Sequence, residues 1–317
     1  MSTTVIYDDL FVRSEDNAEF NKSGFLPAKY NIGADLTAAI LEYYNTIFND
    51  ISLQDGFSTV FSYYGIKDRM EIHRHLLSLL KPFVEMHCKD CEVYLSNFMI
   101  KTPSDEFTID IHQDWTYVDE SRYRSFNCWI PLADTNMENG GLVIAPGTHF
   151  RNIKTFRSPN IPLFFSDNTD LIMDYLFPVP VKKGDAVFFD NSIVHGATSN
   201  NSATDRVSVV LCLKQKKSEM LFLHAEKEGI EVYKQKDDYI FHFENYIKDI
   251  FKRPSTGILS EVLPDSVNKT YTQVELEAVL DGIYKELSLC SPSALDKYKC
   301  KKKVEPFLRR LFRKFIQ

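Results

Sequence analysis

The chemistry that can be read directly from this chain rests on a histidine, an aspartate and a second histidine. His112 and Asp114 stand two apart in Ile111-His-Gln-Asp-Trp115, and His195 follows in Asn191-Ser-Ile-Val-His-Gly196. Residues i and i+2 of an extended segment point to the same side, so His112 and Asp114 can grip one ion together. Two imidazoles and one carboxylate on one face of an iron(II) ion leave three positions open, which is the ligand set of non-haem Fe(II) oxygenases. A co-substrate and dioxygen both need those positions. A His-x-Asp pair alone is equally the mark of a surface loop, so its surroundings must make the case.

Arg206 lies eleven residues past His195 and opens the run Arg-Val-Ser-Val-Val-Leu-Cys-Leu213. A strand that begins with arginine and continues apolar predicts a buried cation with an anionic partner, because an unpaired buried charge is costly. The planar guanidinium fits a carboxylate bidentately. Ser208 shares its face by strand alternation. Together they are expected to hold the far carboxylate of a dicarboxylate whose other end chelates iron; a structural salt bridge is the alternative for Arg206. Trp115 and Tyr117 are expected to wall off water. A carboxylate at Asp114 leaves no vacant place for halide, which favours hydroxylation over halogenation and leaves desaturation, ring closure and epimerisation open.

The elements that must position these residues are mostly strands. Short β-rich runs at 92–100, 124–132, 141–145, 186–190 and 206–213, separated by Gly, Pro, Asn and Asp, suit a sandwich or barrel. Helices are predicted over 34–48, over 67–80 ahead of Pro82, and over 273–287 behind the capping box Thr272-x-x-Glu275. Residues 1–33 read as short strands and loops, and the strand pattern fades after about 215. The aromatic segment 155–180 reads equally as a lid or as a packed insertion.

Four motifs occur in order: His112-Gln-Asp114, Asn139-Gly-Gly-Leu-Val-Ile-Ala-Pro-Gly-Thr-His149, Gly184-Asp-Ala-Val-Phe-Phe189 and His195-Gly196. Over about residues 90–215 the chain thereby resembles the phytanoyl-CoA dioxygenase (PhyH-like) family of Fe(II)/2-oxoglutarate-dependent oxygenases. The resemblance implies a mainly β fold with flanking helices around a double-stranded β-helix (jelly-roll, cupin-like) core. It implies Fe(II), 2-oxoglutarate and O2 as cofactor and co-substrates, with His112, Asp114 and His195 on the metal and Arg206 on the C5 carboxylate. Gln113 and Trp129 match family positions near the co-substrate, and Asn127 shares the face of Trp129. Lys101 sits where the family often carries a basic residue. His149 is better read as holding its turn than as a ligand. Some family members have a serine two places after the distal histidine; here Ala197 stands there, and Ser208 or Thr198 is expected to substitute.

The expected organisation is a dioxygenase domain over 1–250 and a C-terminal helical extension over 251–317. The expected reaction is hydroxylation of an unactivated C–H bond of a small organic molecule, such as a natural-product or amino-acid-type metabolite, with release of succinate and CO2. The same chemistry on a carrier-tethered, CoA- or lipid-linked substrate is one alternative. A non-oxidative cupin-like metal- or sugar-binding protein is the other. Arg151, Arg157 and Arg122 are candidates for meeting an anionic substrate.

Bulk properties bound these readings. A net charge of −7 argues against a nucleic-acid partner. Residues 297–317 nevertheless carry nine Lys or Arg against one Glu, and 304–317 reads as a basic amphipathic helix for a membrane surface, a second subunit or the acidic body itself. No run of 18 apolar residues suggests a membrane span, and Met1–Asp16 does not read as a secretory signal. Six scattered cysteines fit a reducing, cytoplasmic setting, and Cys88-x-x-Cys91 is read as ordinary thiols.

Overall fold

The structure is a computed structural model that describes residues 8–54, 56–104, 111–149 and 155–289. In chain order the elements are α1 (Ser14–Ser23), β1 (Phe25–Asn31), α2 (Ala34–Phe48), β2 (Phe57–Thr59), α3 (Ile66–His87), β3 (Cys91–Lys101), β4 (Ser125–Pro131), β5 (Leu142–Ala145), α4 (Thr169–Met173), β6 (Phe177–Val179), β7 (Asp185–Asp190), β8 (Val194–Ala197), β9 (Arg206–Gln215), β10 (Met220–Glu226), β11 (Gly229–Gln235), α5 (Tyr246–Asp249), β12 (Ile258–Leu263) and α6 (Gln273–Leu287).

The major sheet runs β1-β7-β4-β9-β3-β2 and the minor sheet β6-β5-β8, every pairing antiparallel. A bridge between His112 and His195 adds a fourth segment to the minor sheet. Counted from β3 through the His112 segment to β9, eight segments pair as first-eighth-third-sixth and second-seventh-fourth-fifth. That is the double-stranded β-helix, an eight-stranded jelly roll. β1 and β2 widen its major sheet.

Alternation sorts each strand into two faces. On β9, Val207, Val209, Leu211 and Leu213 join Phe126, Cys128, Ile130 and Phe188 in a core under α1, α2 and α3. Trp129, Val187, Phe189 and Val210 point the other way and meet Leu142, Ile144 and Val179 of the minor sheet inside the barrel. Arg206, Ser208 and Cys212 share that inner parity, as does Asn127 on β4.

The segment 155–180 is no lid. Phe164, Phe165, Ile172, Tyr175 and Leu176 pack with Leu276, Leu280, Ile283 and Tyr284 of α6 over Val143 and Ala145. An apolar minor-sheet face needs a cover, and these residues supply it. The capping box at Thr272 and Glu275 forms and α6 spans the predicted range.

Three expectations are corrected. The helix expected to stop before Pro82 continues to His87. A proline inside a helix costs about 3 kcal/mol, but beyond it Phe83 and Val84 are buried in the core, and each such burial returns about 1.5–3 kcal/mol. The N-terminal stretch contains α1 as well as strands. The region after 215 holds the sheet β10-β11-β12, so 258–263, expected within a helical extension, is a strand. The basic segment 304–317 and Arg151 lie outside the described residues. No helix among the described residues is long and apolar enough to cross a membrane. Burial raises the thiols of Cys88 and Cys91, so both stay protonated.

His73 joins α3 to β3. Its Nδ1 accepts the Ser96 backbone N–H at 3.0 Å, and burial, with a contribution from Arg74, lowers its pKa from 6.5 to about 4. A base whose folded pKa is depressed gives stability that is complete above its unfolded pKa and is lost as pH falls towards the folded one. Urea denaturation of the metal-free protein is expected to show stability falling from about pH 6.5 to about pH 4, with a shallower fall in His73→Gln.

Candidate metal and co-substrate site

Backbone pairing builds the triad. His112 N donates to His195 O and His195 N to His112 O, both at 2.9 Å, and the two imidazole centroids come to 4.3 Å. Asp114, two residues on, brings Oδ1 to 3.7 Å from His112 Nε2 and Oδ2 to 3.9 Å from His195 Nε2. One donor atom from each residue lies within 4.8 Å of the others. Two donors bound at about 2.1 Å sit at most about 4.2 Å apart, so a small closure would seat an ion.

The donors are in the right chemical form. His195 Nδ1 lies 3.0 Å from the Ile193 carbonyl, which only accepts, so Nδ1 carries the proton and Nε2 offers a lone pair. Burial, then the neighbouring His112, lower the His195 pKa to about 4, which keeps the ring neutral. Asn127 Nδ2 donates to Asp114 Oδ2 at 2.6 Å. His112 and Asp114 side chains remain 39% and 26% exposed, so this face of the triad is reachable.

Tyr94, Tyr117 and Tyr246 lie close enough to the carboxylate to feel its charge. Burial raises all three phenols, and the Asp114 charge adds to it, so none competes as an anionic ligand. Trp115 lies 5.8 Å from Tyr117 and stacks 6.2 Å from Tyr246, extending the wall.

Arg206 sits at the other end of the barrel interior. It is 3% exposed, and burial lowers its pKa only to about 10, so it stays charged. Its Nη1 donates to Ser208 Oγ at 2.7 Å, its Cζ lies 5.6 Å from the Trp129 ring centroid, and its Nε is buried with no partner. Among the described residues no carboxylate pairs with it, so the salt-bridge alternative fails. The Thr198 hydroxyl is also buried without a partner. Lys101 pairs with Arg206 across β3 and β9 and donates to Ala197 O at 2.9 Å. Gly140 makes this crowding feasible: a Cβ there would stand 2.8 Å from Lys101 Cδ and 3.5 Å from Arg206 Nε.

The expected co-substrate residues thus divide. Trp129 donates Nε1–H to Ser208 Oγ at 2.9 Å, and Ser208 donates to Met99 O at 3.2 Å. With Arg206 as second donor, the Ser208 hydroxyl has used its one hydrogen and both lone pairs. Ser208 therefore positions Arg206 and Trp129 and has no capacity left for a ligand. Gln113 faces away from its two neighbours: its Nε2 donates to Ser192 O and its Oε1 accepts from Thr155. Each of its amide ends makes one bond that holds the chain. Of the two residues expected to stand in for the missing serine, Thr198 has a hydroxyl without a partner and Ser208 does not. Thr198→Val is expected to raise the KM for 2-oxoglutarate with little change in melting temperature. Ser208→Ala should raise KM and lower the melting temperature together, because two buried donors lose their acceptor.

His149 is fully buried, its Nε2 within 3.3 Å of Asn21 O, and it is no part of the triad. Arg157 is buried against Glu120, and Arg122 is exposed over Tyr123, so Arg157 is not available as a surface contact for an anion. The bond from Asn127 to Asp114, 13 residues apart, has no local sequence signal, because the loop between them sets which side chains meet.

Together, a double-stranded β-helix with an inward 2-His-1-carboxylate cluster and a buried arginine at the far end define the class. Residues 61–208 match the family model "Phytanoyl-CoA dioxygenase (PhyH)". Phytanoyl-CoA dioxygenase domain-containing protein 1 of Danio rerio is 32% identical over 137 residues, covering 39% of this chain and 47% of the relative. The Mus musculus protein of that name is 27% identical over 130 residues, covering 39% and 45%. The chain thus spans about half the length of the curated relatives it matches. Among solved structures, the non-heme alpha ketoglutarate dependent carbocyclase SnoK from nogalamycin biosynthesis is 18% identical, covering 66% of this chain and 86% of its own, with TM-score 0.47. HygX from Streptomyces hygroscopicus, with nickel and 2-oxoglutarate bound, is 14% identical, covering 65% and 88%, with TM-score 0.45.

Proposed function

We propose that the chain is an Fe(II)/2-oxoglutarate-dependent dioxygenase that hydroxylates a C–H bond of a small organic molecule, releasing succinate and CO2. The observation that carries the reading is Arg206, a charged guanidinium buried inside the barrel with an unpartnered Nε. A structural protein gains nothing from a buried cation without its anion. A dicarboxylate co-substrate supplies that anion.

His112, Asp114 and His195 would hold the metal, and the residues present fit it: two imidazoles, one carboxylate and an accessible face. Bound Fe(II) supplies the redox chemistry that couples oxidative decarboxylation of 2-oxoglutarate by O2 to oxidation of the substrate. Arg206 and Thr198 receive the C5 carboxylate, with Ser208 and Trp129 fixing the guanidinium plane. Asn127 orients the Asp114 carboxylate. Trp115, Tyr117 and Tyr246 exclude water and border the space for the substrate, expected to be a natural-product or amino-acid-type metabolite. Free, protonated thiols accord with a reducing, cytoplasmic setting.

The test is anaerobic titration with Fe(II) and 2-oxoglutarate, read by calorimetry and by the visible charge-transfer band of a chelated 2-oxo acid. Succinate release is then followed against amino acids, fatty acyl derivatives, sugars and small natural products. Absence of both the isotherm and the band would defeat the reading.

A further inference from the structure

We propose that Arg157, locked by Glu120, is the positioning residue for Asp114, although it reaches neither metal nor substrate. The inference rests on the metal-site reading above and deepens it.

Asp114 is poorly placed for a ligand. Strand pairing here stops at the single His112–His195 bridge, and residues 113–117 belong to no strand. A ligand on an unpaired segment must be fixed by other contacts, or metal binding carries the cost of ordering the backbone.

Residues 155–157 supply those contacts. Arg157 Nε donates to the Asp114 backbone oxygen at 2.6 Å. Thr116 N donates to Arg157 O at 3.0 Å, and Arg157 N donates to Thr116 Oγ1 at 3.0 Å. The guanidinium is itself immobilised. Nη1 donates to Thr155 O at 2.7 Å and to Glu120 Oε2 at 3.0 Å, while Nη2 meets Glu120 Oε1. Arg157 is 2% exposed. At the other end of the same aspartate, Asn127 holds Oδ2. Asp114 is thus pinned through its main-chain oxygen and its carboxylate by two unrelated parts of the chain.

Only arginine meets this demand. It reaches four acceptor atoms on three residues in fixed directions from one plane, whereas a lysine ammonium is a point charge on a flexible stem. Outer contacts of this kind set how well a ligand is presented, and losing one lowers metal affinity by about 10- to 100-fold.

The experiment uses full-length metal-free protein and Co(II) as the probe. It measures the Co(II) dissociation constant by competition, the Co(II) d–d spectrum and the melting temperature of the metal-free form. For Arg157→Met we expect affinity to fall by about 10- to 100-fold with an altered d–d spectrum. Arg157→Lys should recover part of the affinity. Should Arg157→Met fail to fold, Arg157→Lys and Glu120→Gln decide in the same way. Folded variants with wild-type affinity and spectrum overturn the proposal, even if they melt lower, because the contact is then merely structural. A wild-type protein that takes up no Co(II) overturns the metal site, and this role with it.

Discussion

Replacing Arg206 with methionine is expected to abolish useful 2-oxoglutarate binding while making the metal-free protein more stable. Truncating one partner of a buried, hydrogen-bonded charge pair costs about 2–5 kcal/mol, or roughly thirtyfold to several-thousandfold in affinity at about 1.4 kcal/mol per decade. Without co-substrate, Arg206 is a buried cation with no carboxylate partner among the described residues, at 3% exposure. Methionine removes that desolvated charge and fills a similar apolar volume beside Trp129, so the melting temperature should rise. Arg206→Lys keeps a charge but loses the fork, and should bind 2-oxoglutarate weakly without the gain in stability. Calorimetry with 2-oxoglutarate on the Co(II)-loaded protein, beside thermal melts of the metal-free form, reads both effects. Wild-type affinity in Arg206→Met would show that the co-substrate sits elsewhere.

Asp114→Asn is the second large effect, and it acts on the metal. Asparagine keeps the shape of the side chain and still offers Asn127 Nδ2 an oxygen to donate to, so the fold should persist. It removes the one negative charge of the triad, leaving two imidazoles with an amide. The affinity loss should exceed the roughly 10- to 100-fold that follows removal of a mere supporting contact. A ligand at 100 times its dissociation constant stabilises a protein by about 2.7 kcal/mol, so wild type should melt higher with saturating Co(II) and Asp114→Asn should not. An equal upward shift in both proteins would place the ion away from this triad.

The two substitutions separate the halves of the site. The first should leave metal binding intact and remove co-substrate binding; the second should remove both. Arg157→Met falls between them, weakening the metal through its ligand's backbone.

Much of this arrangement is legible without coordinates, for local reasons. His112 and Asp114 share a face because a strand repeats every two residues, and Arg206 opens an apolar strand whose inner parity includes Ser208. The helices 34–48 and 273–287 follow from periodicity and, for the second, a capping box. Other expectations failed where distant contacts overrule local preference. Pro82 should end a helix, yet Phe83 and Val84 gain enough by burial to carry it on to His87. Segment 155–180 reads equally as a lid or a packed insertion, and α6 with the minor sheet decides for the insertion.

The sequence by itself determined which atoms can bind a metal and a carboxylate, because donor chemistry and alternation belong to residue type and spacing. Only the tertiary structure decided which of the polar residues nearby still have hydrogen-bonding capacity to spare. Ser208 is fully engaged, while Arg206 Nε and Thr198 Oγ1 are not. That difference depends on partners brought from strands far apart in the chain, and no local pattern encodes it.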